Sequence, residues 1–173
     1  MVATSPAAGP WRAWLWSVLG TRLYRLTFHN WYGVRRAILR LFGASVHRTA
    51  RLRGSARIWA PWNLEIGEES AVGDGAMLVA HAPIRIGKFC TISQYAHVCS
   101  GGHEAGDTRF GLVAEPIVIG DDSWIAADAY VGPGVRVGEG AIVAARANAY
   151  RDVPEWTIVA GEGERVSARP MVG

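Results

Sequence analysis

Residues 86–130, IGKFCTISQYAHVCSGGHEAGDTRFGLVAEPIVIGDDSWIAADAY, carry a six-residue beat that stops at His103 and resumes at Ile119. Ile86, Ile92 and Val98 fall six apart, with Cys90, Ala96 and Gly102 four places after each. Beyond the break, Ile119, Ile125 and Val131 repeat the pattern with Ser123, Ala129 and Val135. Working outward adds Val46, Leu52 and Ile58, then Ile66, Val72 and Leu78, and finally Val137, Val143 and Ala149, giving five sets of three. Leu64-Glu65 and Ile84-Arg85 read as two-residue spacers between sets.

A helix has no use for a strict period of six, because 3.6 residues per turn would carry the apolar position around its surface. Three short strands joined by tight corners fit it. Each corner turns one aliphatic and one small side chain into a lumen, and stacked coils pair strand on strand in parallel, about 4.8 Å apart. The expected fold is therefore an all-β solenoid, a parallel β-helix of about five coils over residues 46–154. Gly67, Gly73, Gly87, Gly120, Gly132 and Gly138 follow the lumen aliphatics, where a corner can require positive φ.

The charge is divided along the chain. The first 64 residues hold ten arginines and no acid, while the remainder carries a net −7, within an overall +3. Residues 1–10 read as a disordered lead. Residues 11–45 form a basic, aromatic segment with helical spacing, in which Trp11, Trp14, Trp16, Tyr24, Trp31 and Tyr32 alternate with leucines and arginines. No charge-free run approaches the length of a spanning helix, and no signal-peptide pattern is present. Residues 11–42 suit two roles, a peripheral contact with an anionic membrane surface or a cap over the open first coil. The basic residues are not arranged as a nucleic-acid module, so no nucleic-acid partner is expected. Cys90 and Cys99 are too few for a disulfide framework and fit a cytoplasmic protein. Residues 155–173 leave the beat and read as a C-terminal tail.

Phosphate loops, dinucleotide fingerprints and G-x-S-x-G elbows are absent, and His103-Glu104 opens no zinc-protease pattern because the required second histidine is Asp107. His103 stands out by position. It closes the third coil immediately before the excursion 104–118, and an imidazole at the lip of a loop can take a proton from a hydroxyl near neutral pH.

The runs PWNLEIG, TISQYAHVCSGGHE, EPIVIGDDSWIAADAYVGPGV and RDVPEWTIVAG, together with ILRLFGA near the amino terminus, resemble the hexapeptide-repeat acetyltransferases of colanic acid and other exopolysaccharides. The resemblance implies a left-handed β-helix, a homotrimer and acetyl-CoA as donor, bound in a groove between subunits, with no metal. It implies His103 as catalytic base, and Trp124, Ala127, Ala145, Tyr150, Arg151 and Arg165 along the coenzyme. Glu104 and Asp107 match acidic positions after the family's histidine, where they orient the imidazole or bind the sugar. Where the family carries an acceptor-contacting asparagine, this chain reads Val79-Ala80-His81, which makes His81 the substitute polar contact. The implied activity is direct transfer of acetyl to a hydroxyl of a nucleotide-linked or lipid-linked sugar, with Cys99 as the nearby alternative nucleophile. Two rival readings remain at this point: a zinc hydratase of the γ-carbonic-anhydrase type using His81, His97 and His103, and a non-catalytic membrane-associated scaffold.

Overall fold

The computed structural model describes residues 9–103, 111–161 and 165–169. The solenoid is present, with five coils in three parallel sheets and a helical segment before them. The first face stacks Ser45–Val46, Leu64–Ile66, Ile84–Ile86, Ile117–Ile119 and Arg136–Val137. The second stacks Arg51–Leu52, Ala71–Val72, Thr91–Ile92, Trp124–Ile125 and Ile142–Val143. The third stacks Arg57–Trp59, Met77–Val79, His97–Cys99, Tyr130–Val131 and Asn148–Ala149. All fifteen aliphatics of the beat point inward, and none is more than 7% exposed.

The register explains both spacings. Val46 pairs with Ile66 and Ile66 with Ile86, whereas Ile119 pairs with Val137, so each coil keeps its lumen residues over those of the last. The spacers are themselves core: Leu64, Ile84 and Ile117 are buried and lengthen the first-face strands to three residues with two inward side chains. Gly102 is the one small position that does not turn inward to the lumen. The chain leaves the solenoid there and enters an antiparallel hairpin, Gly101–His103 against Leu112–Ala114.

The repeat glycines serve a different purpose from the one expected. Positive φ falls three residues after the lumen aliphatic, at Glu69, Gly75, Phe89, Tyr95, Asp122, Asp128, Gly134, Gly140 and Arg146, and at none of the six glycines named above. Those glycines answer to crowding between coils instead. A Cβ at Gly73 would stand 2.7 Å from the Gln94 nitrogen, and one at Gly120 would stand 2.7 Å from that of Glu139. Gly132 is the exception, with nothing nearer than 3.3 Å.

One corner carries a buried polar ladder. The Ser70 hydroxyl donates to the Gly87 carbonyl at 2.7 Å, the Cys90 thiol to that of Gly120 at 3.0 Å, and the Ser123 hydroxyl to that of Gly138 at 2.8 Å. Burial pushes the Cys90 thiol up, which keeps it protonated as a donor. Both cysteines are free.

The helical segment closes the first coil. It comprises Pro10–Leu15, a π-helical turn Trp16–Gly20, Thr21–Arg25 and Tyr32–Leu41. Trp16, Tyr24, Leu39 and Phe42 join the core. Carbonyls on the edge turned away from the second coil accept from this cap. Val46 accepts from Arg40 Nε at 3.0 Å, Ala50 from Arg36 at 2.8 Å, Arg53 from the Tyr24 hydroxyl at 2.9 Å, and Ile58 from the Trp16 indole at 3.0 Å. A bare strand edge of acceptors calls for donors, and arginine, tyrosine and tryptophan supply them. Arg35 is fully buried inside the cap, where it donates to Thr27 and to the carbonyls of Phe28 and His29 and lies 5.0 Å from the Tyr32 ring centre.

At the other end, Thr157–Ala160 adds a sixth rung to the second face by pairing in parallel with Ile142–Val143. Arg165–Ala168 then runs antiparallel to it. The segment read as a tail thus begins by continuing one face of the solenoid.

Two glycine substitutions separate the crowding argument from simple helix propensity. Gly33→Ala, at an exposed position of the helix Tyr32–Leu41 with its nearest neighbour at 3.7 Å, should raise stability by up to about 1 kcal/mol. Gly73→Ala should lower it by about 1–3 kcal/mol, because the backbone of the next coil must shift. Urea denaturation of the two variants beside wild type provides the check.

Candidate active site

The corner that returns the third face to the first stacks residues 60–63, 80–83 and 132–135, with residues 100–103 leaving it and 111–116 returning to it. His81 sits in its second turn, clamped from both sides. Below, the Asn63 amide donates to the Ala80 carbonyl at 2.8 Å and the His81 carbonyl at 3.3 Å. Above, the buried Ser100 hydroxyl accepts from the Ala82 N–H at 2.9 Å and donates to the Ala82 carbonyl at 2.8 Å. The exposed Trp59 ring lies beside the His81 imidazole, centroids 6.1 Å apart.

Gly101 passes directly over that imidazole, and a Cβ there would strike the His81 ring. Its lack of a side chain lets the hairpin leave the coil against His81. Two residues on, His103 ends the outgoing strand opposite Leu112, with its side chain exposed. The return strand is anchored where Glu115 N–H donates to the Ser100 carbonyl at 2.9 Å. Trp59, His81 and His103 therefore rise along one solvent-facing corner. Glu104 and Asp107 lie outside the described residues.

Most of the residues expected along a coenzyme lie elsewhere on the prism. Trp124, on the second face, is half exposed, and its indole N–H donates to the Ser93 hydroxyl at 2.8 Å. Ala127 and Ala145 occupy equivalent turns of successive coils at the corner between the second and third faces. The turns are joined by the Arg146 N–H donating to the Ala127 carbonyl at 2.9 Å. Tyr150 ends the third face, exposed, its ring 5.4 Å from that of Tyr130, and Arg151 beside it is exposed. Arg165 opens the last antiparallel strand, opposite Ala160. Within one chain the third face separates Trp124, Ala127, Ala145 and Arg165 from His81 and His103, whereas Tyr150 and Arg151 follow the third face on the His81 side, at the last coil.

His97 lies on that face between them. Its ring meets Tyr130 edge-on at 5.4 Å, its Nε2 is buried without a hydrogen-bond partner, and burial lowers its pKa. His81, His97 and His103 do not converge, and among the described residues no group of three or more histidines, cysteines and carboxylates could hold a metal ion. The Cys99 thiol donates to the Gly101 carbonyl at 3.1 Å.

Sequence reasoning passed over Trp59, Asn63 and Ser100, which shape the His81 corner. A signal existed. Asn63 and Ser100 stand 18 residues from His81 and Ala82 respectively, close to one coil below and above, so they share its corner.

His97 yields a pH prediction. Its folded pKa is depressed, so the unfolded chain binds more protons below about 6.5, and the stability present above that value is lost on acidification. The melting temperature of wild type should fall relative to that of His97→Phe between pH 7.5 and 5.5. A gap independent of pH would remove the neutral buried imidazole from the account.

The bacterial transferase hexapeptide family (six repeats) matches residues 116–148. The putative colanic acid biosynthesis acetyltransferase WcaF of Escherichia coli K12 is 35% identical over 147 residues, covering 85% of this chain and 81% of that protein. Among solved structures, the hexapeptide-repeat acetyltransferase VCA0836 of Vibrio cholerae superposes with a TM-score of 0.83 at 24% identity, over 96% of this chain and 94% of that one. A galactoside acetyltransferase in complex with coenzyme A superposes with a TM-score of 0.75 at 18% identity, over 92% and 81% of the two chains. These likenesses show the same left-handed β-helix.

Proposed function

Because the chain belongs to the hexapeptide-repeat acetyltransferases, we propose that it moves acetyl from acetyl-CoA to a sugar hydroxyl of an exopolysaccharide precursor, at a site completed between copies in a homotrimer. The observation that carries this reading is the separation of two half-sites. His103, His81 and Trp59 occupy one corner, while Trp124, Ala127 and Ala145 line the second face and another corner of the same prism. Packing such prisms around a three-fold axis brings one chain's histidine corner to a neighbour's coenzyme surface. The coenzyme complexes known for VCA0836 and the galactoside acetyltransferase support acetyl-CoA as donor.

In this mechanism His103 takes the proton of the sugar hydroxyl as its oxygen attacks the thioester carbonyl. The C–O bond forms and a backbone N–H holds the resulting oxyanion. Collapse breaks the C–S bond, and the His103 imidazolium gives its proton to the sulfur, so that CoA leaves as the thiol and the base is restored. No acyl-enzyme intervenes. Trp124 flanks the thioester and pantetheine arm, the small side chains of Ala127 and Ala145 let the arm approach the backbone, and Tyr150, Arg151 and Arg165 meet the nucleotide end. The guanidinium groups suit its phosphates. His81, Glu104 and Asp107 contact the acceptor or orient the base. The acceptor is a nucleotide-linked or lipid-linked sugar, met in the cytoplasm or at the inner face of the membrane.

His103→Ala should lower turnover by roughly 10²–10⁴-fold, read as CoA release in the presence of a panel of nucleotide sugars, while calorimetric affinity for acetyl-CoA stays near that of wild type. Arg151→Ala and Arg165→Ala should weaken coenzyme binding instead. Undiminished turnover in His103→Ala would reject the assignment of the base, and the absence of saturable acetyl-CoA binding by wild type would reject the donor.

A further inference from the structure

The cap uses only one side of its helices. Trp16, Gly20 and Tyr24, four residues apart, face the first coil. The stripe spaced i, i+3, i+7, i+11 and i+14, namely Trp11, Trp14, Val18, Arg22 and Arg25, lies opposite and is exposed along its whole length. On the helix Tyr32–Leu41 the inward residues are Arg35 and Leu39, and Val34, Ala37 and Leu41 are exposed. In the connection between the helices, Leu26, Phe28 and Trp31 are exposed, the two rings 5.2 Å apart. Trp11, Trp14, Leu26, Phe28 and Leu41 are between 62% and 80% exposed.

Capping the solenoid explains the inner face and says nothing for the outer one. A monomer seldom leaves so many large apolar side chains uncovered without a partner. The partner's charge can be read from the chain: ten arginines and no acidic residue in the first 64. Several arginines are occupied, since Arg35, Arg36 and Arg40 donate to cap and coil carbonyls. Arg22 and Arg25 remain exposed on the same stripe as the tryptophans. Tryptophan beside arginine on a short helix is the pattern of an element that lies in a membrane interface, with rings at headgroup depth and guanidinium groups on phosphates. No helix among the described residues is long and apolar enough to cross a membrane.

We propose that the outer face of the cap docks onto an anionic phospholipid bilayer, inserting Trp11, Trp14, Leu26, Phe28 and Leu41 with Arg22 and Arg25 on the headgroups. This goes beyond the acetyltransferase reading and does not depend on it. The β-helix then stands away from the bilayer, with His81 one coil spacing, about 5 Å, and the base of the His103 hairpin two spacings, about 10 Å, above the first coil. An apolar groove of about 290 Å³ lies between Trp16, Tyr24 and Arg25 of the cap and Trp59, Met77 and Val79 of the third face. Its Trp59 wall is the ring beside His81, so the cap and the His81 corner adjoin.

The test is co-sedimentation of the full chain with vesicles of phosphatidylcholine and phosphatidylglycerol at 3:1, against pure phosphatidylcholine, in the absence of acetyl-CoA. Binding should be at least about tenfold tighter to the anionic vesicles, and tryptophan emission should be quenched by brominated lipid. Trp11→Ser/Trp14→Ser and, separately, Arg22→Glu/Arg25→Glu should each weaken binding about tenfold or more, with the thermal transition and the oligomer mass unchanged. Equal binding to both vesicles, or none, would overturn the proposal. So would cap variants that alter oligomer mass, which would assign the face to a second copy. Preference for a DNA duplex without lipid quenching would assign it to nucleic acid. Because the readout needs no turnover, an inactive protein that still binds vesicles leaves this proposal standing.

Discussion

The structure depends on the close passage of one coil's backbone over the next. Parallel strands at about 4.8 Å crowd the corner that follows the first face, so glycine recurs there at Gly67, Gly87, Gly120 and Gly138, where a Cβ would strike the backbone of the following coil. The same passage sets the lumen, since each aliphatic sits over its counterpart and the small inward residues donate to glycine carbonyls one coil ahead. It also sets the surface. Fixed registers align corners over many residues of sequence, which is how Asn63, Ser100 and Gly101 come to frame His81.

A solenoid has two ends, and this chain treats them differently. The first coil is closed by a helical cap whose donors satisfy edge carbonyls, which accounts physically for several arginines and for Trp16 and Tyr24. The last coil is followed by a single added rung and an antiparallel return strand. Between them the prism is interrupted once, at the hairpin that carries His103. The groove between the cap and the third face is lined by Trp59, the ring beside His81, so the cap borders the corner from which the hairpin leaves.

The solenoid was legible because its core obeys a period that no other element can use, and all fifteen inward aliphatics were identifiable from it. The backbone conformations were less so. Positive φ falls on residues as different as Phe89, Tyr95 and Arg146, because the stacked corners impose it whatever the side chain. Leu64 and Ile84 looked like spacers since the beat counts only one aliphatic per corner, and a three-residue strand buries two. His103 was conspicuous at the break, but Trp59, Asn63 and Ser100 act across coils, where sequence distance hides contact. The cap and membrane readings of residues 11–42 are compatible, since the helices have two faces with different compositions. Trp124, Ala127 and Ala145 lie across the third face from His81 and His103, so they do not read as one constellation within a chain, and in the proposed function they meet only between copies.

That shared site is the central claim, and hybrid oligomers test it directly. His103→Ala and Trp124→Ala chains, each with a different affinity tag, are co-expressed and purified through both tags in sequence. If the histidine of one chain serves the coenzyme surface of its neighbour, the hybrids contain sites with both residues intact and recover a substantial fraction of wild-type turnover, although each variant alone is defective. Hybrids no more active than the parent variants would place both residues in a site within one chain and contradict the account.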